Sequence, residues 1–132
     1  AKEYYQKILK INPNYPPAMN NLAYLMSETG GNIDEALNLA QKGKEMNPDD
    51  PLVTDTLGWI YYKKNIFNTA VNYLKEASDK APESSVIQYH LGMAYYKNGS
   101  RELAKKALAK ALAINPNFPN AADAKATLQA LR

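Results

Sequence analysis

The sequence holds one histidine, His90, and no cysteine. A single imidazole with no thiol and no second histidine lacks the ligand set of a zinc or similar metal site. The absence of cysteine also excludes a thiol nucleophile and a disulfide framework. His90 falls inside a stretch of helical periodicity, where a lone histidine reads as structural or surface rather than as a general base. The acid pairs Asp34–Glu35 and Asp49–Asp50 stand at expected helix starts, where carboxylates cap free N–H groups and complement the dipole. Gly30–Gly31 reads as a turn between helices, not as a phosphate-cradling loop. Asn98-Gly99-Ser100 is a glycosylation sequon, with meaning only on a chain secreted from a eukaryote. These residues predict no catalytic centre, no cofactor and no metal, so the chain is expected not to be an enzyme. What remains is aromatic. The stretch LGWIYYKKN, Leu57 to Asn65, carries the sole tryptophan, Trp59, with Tyr61 and Tyr62. Such rings suit stacking and contact rather than bond-making.

The elements that position those rings come from a chain of 132 residues, enough for one domain with a real core. Its 45% hydrophobic and 22% charged residues are close to average for a globular protein. No apolar run can span a bilayer, and the amphipathic start AKEYYQKILK lacks the apolar centre of a secretory leader. It also lacks an initiator methionine, and the expectation is a piece of something longer. The net charge of +3 is too small to argue for nucleic acid. Its distribution is polarised: residues 28–56 carry seven acids and two bases, residues 97–132 seven bases and two acids. Two differently charged solvated faces are expected, with a polarised partner surface as the alternative.

LGWIYYKKN has a counterpart 34 residues on, LGMAYYKNG at 91–99. The same offset links Ala70 with Ala104, Leu74 with Leu108, Ala77 with Ala111 and Pro82 with Pro116. Upstream, LAYLMSETG at 22–30 precedes Ala36, Ala40, Gly43 and Pro48, in a unit one residue longer. Ala1, Tyr5, Ile8 and Pro13 match the second half of a unit. Each unit reads as two helices. In the first, Leu57, Gly58, Tyr61 and Tyr62 recur at helical spacing. Asp50 serves as N-cap before Pro51 in the first turn. Ser100 is placed to cap a second helix running to about Ile114, where Asn115–Pro116 stops it.

This period and pattern resemble the tetratricopeptide repeat (TPR) family, a 34-residue helix-turn-helix with set small, large and aromatic positions. Leu57, Gly58, Tyr61, Ala70, Leu74, Ala77 and Pro82 satisfy the pattern, and their counterparts 34 residues on satisfy it again. The first full unit departs from it at Ala23, Met26, Ala40 and Gly43. The resemblance covers essentially the whole chain. It implies an all-α, right-handed superhelical solenoid, one TPR domain over 1–132. Residues 1–15 are a partial repeat, second helix only. Full repeats follow at 16–50, 51–84 and 85–118, and 119–132 is a C-terminal capping helix. Small residues at Gly58, Gly92 and Ala23 are expected to let paired helices cross closely. The apolar N-terminal helix is expected to lack a cap and to allow self-association.

In the family the first helices line a concave groove. Carried over residue by residue, the groove candidates are Asn20, Tyr24, Asp55, Trp59, Tyr62, Tyr89, Met93 and Tyr96. Ser27, Lys63, Lys97, Asp123 and Thr127 continue the surface, and Asn21, Thr56 and His90 lie beside it. Tyr61 and Tyr95 match the structural tyrosine and are expected in the core. Trp59, Tyr62, Tyr89 and Tyr96 are off that pattern and are expected to face the groove, so that Trp59→Ala and Tyr62→Ala weaken partner binding without loss of melting temperature. The family's carboxylate clamp falls on Asn20, Tyr24, Thr56, Tyr89 and Met93; its three cations are missing, and neither Asn falls at its place. The resemblance therefore implies a scaffold that binds a peptide or protein segment, identity unknown, by stacking and amide contacts. The alternative is a non-catalytic interaction arm of a larger bacterial enzyme or of an envelope-assembly or secretion protein. Nucleic-acid binding, suggested by the one 35-residue unit and the basic C-terminal third, is a minor alternative. No membrane insertion is expected.

Overall fold

Proline and asparagine punctuate the chain at the joints between helices, and the computed structural model, which describes residues 1–132, contains eight α-helices and no strand. These are α1 (Lys2–Ile11), α2 (Pro16–Glu28), α3 (Ile33–Met46), α4 (Pro51–Lys63), α5 (Phe67–Lys80), α6 (Ser85–Lys97), α7 (Arg101–Ile114) and α8 (Ala121–Ala130). Pro16 and Pro51 sit in first turns, where the missing N–H breaks no helical bond. Asp50 caps α4 by accepting from the Leu52 N–H at 2.9 Å. Asn32, not the acid pair after it, caps α3 by accepting from the backbone N–H groups of Asp34 and Glu35, each at 3.1 Å. The Asp34 side chain turns instead to Lys64. Ser84 caps α6, whereas Ser100 stands at the N-cap of α7 without a side-chain bond. The turns inside the helix pairs pass through the left-handed region at Gly30, Asn65 and Gly99, with φ of 72°, 64° and 83°.

Successive helices pack as antiparallel neighbours, and α2 also touches α4, and α4 touches α6, while α3, α5 and α7 make no comparable mutual contacts. One helix layer is thus drawn together and the other splayed, which makes the α2–α4–α6 side the inner face of a solenoid. Close crossing within pairs rests on glycine. A Cβ added at Gly58 would lie 2.8 Å from the Leu74 Cγ, and one at Gly92 2.8 Å from the Leu108 Cγ. Beside α2 the glycine–leucine pair is replaced by two alanines. Ala23 and Ala40 occupy the corresponding places, both fully buried in one apolar cluster with Leu22, Met26, Leu57 and Ile60.

The core runs along the stack as three clusters rather than one centre. The largest gathers Trp59, Tyr89 and Met93 with Leu108, Phe118 and the small residues Ala104, Ala111, Ala121 and Ala124. The third, around Leu74, Leu91 and Ala107, is joined to the cluster of Leu57 and Ile60 by the half-buried Tyr61, and to the largest by Tyr62 and Tyr95. α1 has no buried residue and leaves Tyr4 and Ile11 exposed. No helix is long and apolar enough to cross a membrane.

Candidate functional site

On the inner face the rings form a continuous stack across α4 and α6. Trp59 lies nearly parallel to Tyr62, ring centres 4.3 Å apart, and on its other contacts meets His90 at 4.0 Å and Tyr89 at 6.0 Å. Tyr89 continues to Phe118 at 5.8 Å and its hydroxyl donates to Asp123. Tyr24 on α2 approaches His90 at 6.0 Å. The expectation that these rings face open groove is corrected at two of them. Trp59 is 4% exposed and Tyr89 5%. Tyr62 is half-buried, and only Tyr96, 38% exposed, presents its ring to solvent, with Lys97 Nζ 5.7 Å from the ring centre. The cause is spacing: α4 and α6 lie close enough that rings projecting from adjacent helices fill the gap and stack on each other. Met93 and Asp55 are buried with them.

Polar groups are threaded through this stack. The Trp59 indole N–H donates to Glu28 Oε1 at 2.9 Å, and Lys63 Nζ sits 3.6 Å from Glu28 Oε2 and 5.2 Å from the Trp59 ring centre. Burial would push the Glu28 carboxyl up, but the Trp59 bond, Lys63 and the Tyr24 hydroxyl together hold it below its usual value. Deeper in, His90 is fully buried, with Nδ1 2.8 Å from Asp55 Oδ1. His90 Nε2 is buried without a partner, as is Asn20 Oδ1. Burial raises the hydroxyl pKa of Tyr24, Tyr62 and Tyr89; Glu28 adds to it at Tyr24 and Asp123 at Tyr62 and Tyr89.

Next to the stack, between α1, α2 and α4, lies an open cleft of about 390 Å³. Asn20, Tyr24, Glu28, Asp55 and Thr56 line it, with Leu25 and Leu52 among its apolar walls. The structure therefore splits the sequence candidates. Asn20, Tyr24 and Asp55 meet at the cleft, together with Asn21 and Thr56. Trp59, Tyr62, Tyr89 and Met93 form the packed wall behind it, and Tyr96 stands apart on α6. The Asp55–His90 pair was not expected as a pair. No group of three His, Cys, Asp or Glu side chains converges as metal ligands would. The arrangement offers rings, amides, hydroxyls and carboxylates for contact.

The family model "Tetratricopeptide repeat" matches residues 1–60 and 64–128. A TPR repeat-containing protein of Pseudomonas aeruginosa is 33% identical over 70 residues, which are 53% of this chain but only 12% of that protein. Among solved structures, the backbone is similar to crystal structures of MamA, one at TM-score 0.74 and 20% identity over 98% of this chain and 79% of that one. A second, MamA 41-end from Desulfovibrio magneticus, gives 0.72 and 18%, covering 98% and 82% of the two chains. YrrB, described as a TPR protein with an unusual peptide-binding site, matches at 0.79 and 22%, over 99% of this chain and 66% of that one.

Proposed function

The chain belongs to the tetratricopeptide repeat family, a right-handed superhelical solenoid of helix pairs, and from that premise we propose that it is a non-catalytic scaffold that holds a peptide or protein segment on its α2–α4–α6 face. The reading takes 16–50, 51–84 and 85–118 as the repeats, 1–15 as a partial one and 119–132 as a cap. Its groove residues are Asn20, Tyr24, Asp55, Trp59, Tyr62, Tyr89, Met93 and Tyr96. Of these, Asn20, Tyr24, Asp55 and Tyr96 are assigned to direct contact. Trp59, Tyr62, Tyr89 and Met93 are assigned to supporting the wall.

One observation carries the reading. The inner face holds an open cleft in which two polar groups of its lining, the buried Oδ1 of Asn20 and the Thr56 hydroxyl, lack partners within the chain. A bound backbone or side chain would supply them, and an unsatisfied buried group gains most from a ligand that does. The peptide-binding site named for YrrB supports the class of ligand. The test is selection of random displayed peptides on the immobilised protein, followed by binding to Tyr24→Ala and Tyr96→Ala. Both variants should bind at least about tenfold more weakly; Tyr96→Ala should melt close to wild type, and Tyr24→Ala, whose ring packs against the largest cluster, somewhat lower. Equal binding by both variants, or no selected peptide, refutes the reading.

A second reading is supported by the Pseudomonas relative, of which the chain matches only 12%. The same face would then serve as the interaction arm of a larger bacterial enzyme or envelope-assembly or secretion protein. Co-purification of such a protein through Tyr24 and Tyr96 would establish it. Self-association through the exposed face of α1 is a further proposal, which a monomeric mass by light scattering at high concentration refutes. Nucleic-acid binding through the basic third would show as salt-sensitive retention of RNA.

A further inference from the structure

The cleft between α1, α2 and α4 carries two carboxylates, Glu28 and Asp55, with Asn20, Asn21, Tyr24 and Thr56 beside them. Asp55 is 6% exposed; its Oδ1 lies 2.8 Å from His90 Nδ1, and its Oδ2 makes no hydrogen bond. Thr56, beside it and 3% exposed, makes no side-chain hydrogen bond at all. Asn20 Oδ1 is buried and unpartnered. The Glu28 carboxylate closes another side, steadied by Trp59 and Lys63. No lysine or arginine lines the cleft, and the only amine there is that of Ala1, 3.9 Å from Glu3. Of the seven acids in residues 28–56, Glu28 and Asp55 line the cleft, whereas Asp34 and Asp49 pair with Lys64 and Lys80 elsewhere.

We propose that this cleft is a specificity pocket for a cationic side chain, the guanidinium of arginine or the ammonium of lysine, projecting from the bound peptide. The inference rests on the peptide-groove reading above and adds the chemistry of one ligand position. A carboxylate held in a nearly buried site favours a ligand that brings the opposite charge together with hydrogen-bond donors. Asp55 Oδ2, Asn20 Oδ1 and the Thr56 hydroxyl accept such donors. Tyr24 lines the same cleft, and an aromatic ring beside a cation suits a planar guanidinium best. An anionic side chain would meet Asp55 and Glu28 as like charges. A neutral amide would satisfy Asn20 but leave the free oxygen of Asp55 without a counter-charge.

The test uses the whole 132-residue chain. Peptides from the random displayed library are synthesised and titrated by calorimetry. Each is compared with a twin in which the basic residue is replaced by citrulline or acetyl-lysine, which keep the shape and remove the charge. Enriched peptides should share one basic position, and the neutral twin should bind at least about tenfold more weakly. Separate arginine and lysine peptides decide which cation is preferred. Asp55→Asn should abolish most of the difference between the charged peptide and its twin. Because Asp55 also holds His90, Glu28→Gln and Thr56→Val serve as milder variants, with circular dichroism and melting curves for each; both should narrow the same difference. Peptides that bind through Tyr24 and Tyr96 with no basic position, or whose neutral twins bind equally, overturn the pocket and leave the groove standing. Failure to enrich any peptide overturns both.

Discussion

The His90 ring lies 4.0 Å from the Trp59 ring and within 21° of parallel to it, so a residue of α6 and a residue of α4 form one buried unit. The same tryptophan reaches back to Glu28 on α2. One side chain therefore ties three helices of the inner face together.

That position makes Trp59 a structural keystone. Trp59→Ala should destabilise the fold by about 3–5 kcal/mol, the range for deleting a buried large aromatic. Trp59→Phe keeps most ring contact and loses the bond to Glu28, so a loss of about 1 kcal/mol is expected. Chemical denaturation followed by circular dichroism measures both. A Trp59→Ala variant with wild-type stability would show that the ring is not packed as described.

Gly58 and Leu74 should behave as a coupled pair. A Cβ at Gly58 would come within 2.8 Å of the Leu74 Cγ, so Gly58→Ala alone should cost about 1–3 kcal/mol through overpacking. Leu74→Ala alone should cost about 2–5 kcal/mol through a cavity. The double variant reproduces the Ala23–Ala40 combination found beside α2. It should be more stable than the sum of the two single effects by at least about 0.5 kcal/mol, a coupling read from a double-mutant cycle. Additive losses would mean that the two positions do not share one space.

Alkaline stability should be lost in step with three tyrosines. Burial, with Glu28 or Asp123 nearby, raises the folded-state pKa of Tyr24, Tyr62 and Tyr89 above the ordinary 10.0. The folded state then favours the neutral phenol, so this contribution is complete below pH 10.0 and declines as the pH rises past it, where the unfolded chain ionises first. A spectroscopic titration of the ten tyrosines should show a group that ionises only as helicity collapses. Ionisation of all ten before unfolding would contradict it.

Asn65 holds a φ of 64°, where the neighbouring turns use Gly30 and Gly99. Asparagine tolerates this region better than other residues with a Cβ, and glycine better still. Asn65→Ala should therefore lower stability by about 1 kcal/mol and Asn65→Gly raise it by a few tenths. Thermal melts of the two variants test the order; Asn65→Ala melting above wild type would contradict it.

The fold was legible because its determinants are local and repeated. Gly58, Ala70, Leu74, Ala77 and Pro82 keep their spacing at 92, 104, 108, 111 and 116, and each type has a steric reason at its place. The candidate site was legible only in part. The sequence marks Trp59, Tyr62, Tyr89 and Tyr96 as departures from the repeat, but a departure does not say where a ring points. That depends on how near α4 lies to α6, a quantity set by residues from several units. The Asp55–His90 pair spans 35 residues and two repeats, and neither residue carries a mark of the other. In the first full unit Ala23 and Ala40 look like separate departures, and only the crossing of the helices reveals them as two halves of one substitution.

A core laid out as three clusters along a stack has a consequence for how the molecule opens. α1, with no buried residue, can lift away while the Trp59–His90 unit stays closed, because its detachment breaks no contact in the larger cluster. Amide exchange should be graded, fastest in α1 and slowest in α4 and α6, rather than uniform. A ligand in the cleft would touch both regimes, since α1 supplies Tyr5 to its edge and α4 supplies Asp55 and Thr56 to its lining. Occupancy would then slow exchange most in the helix that is otherwise the loosest.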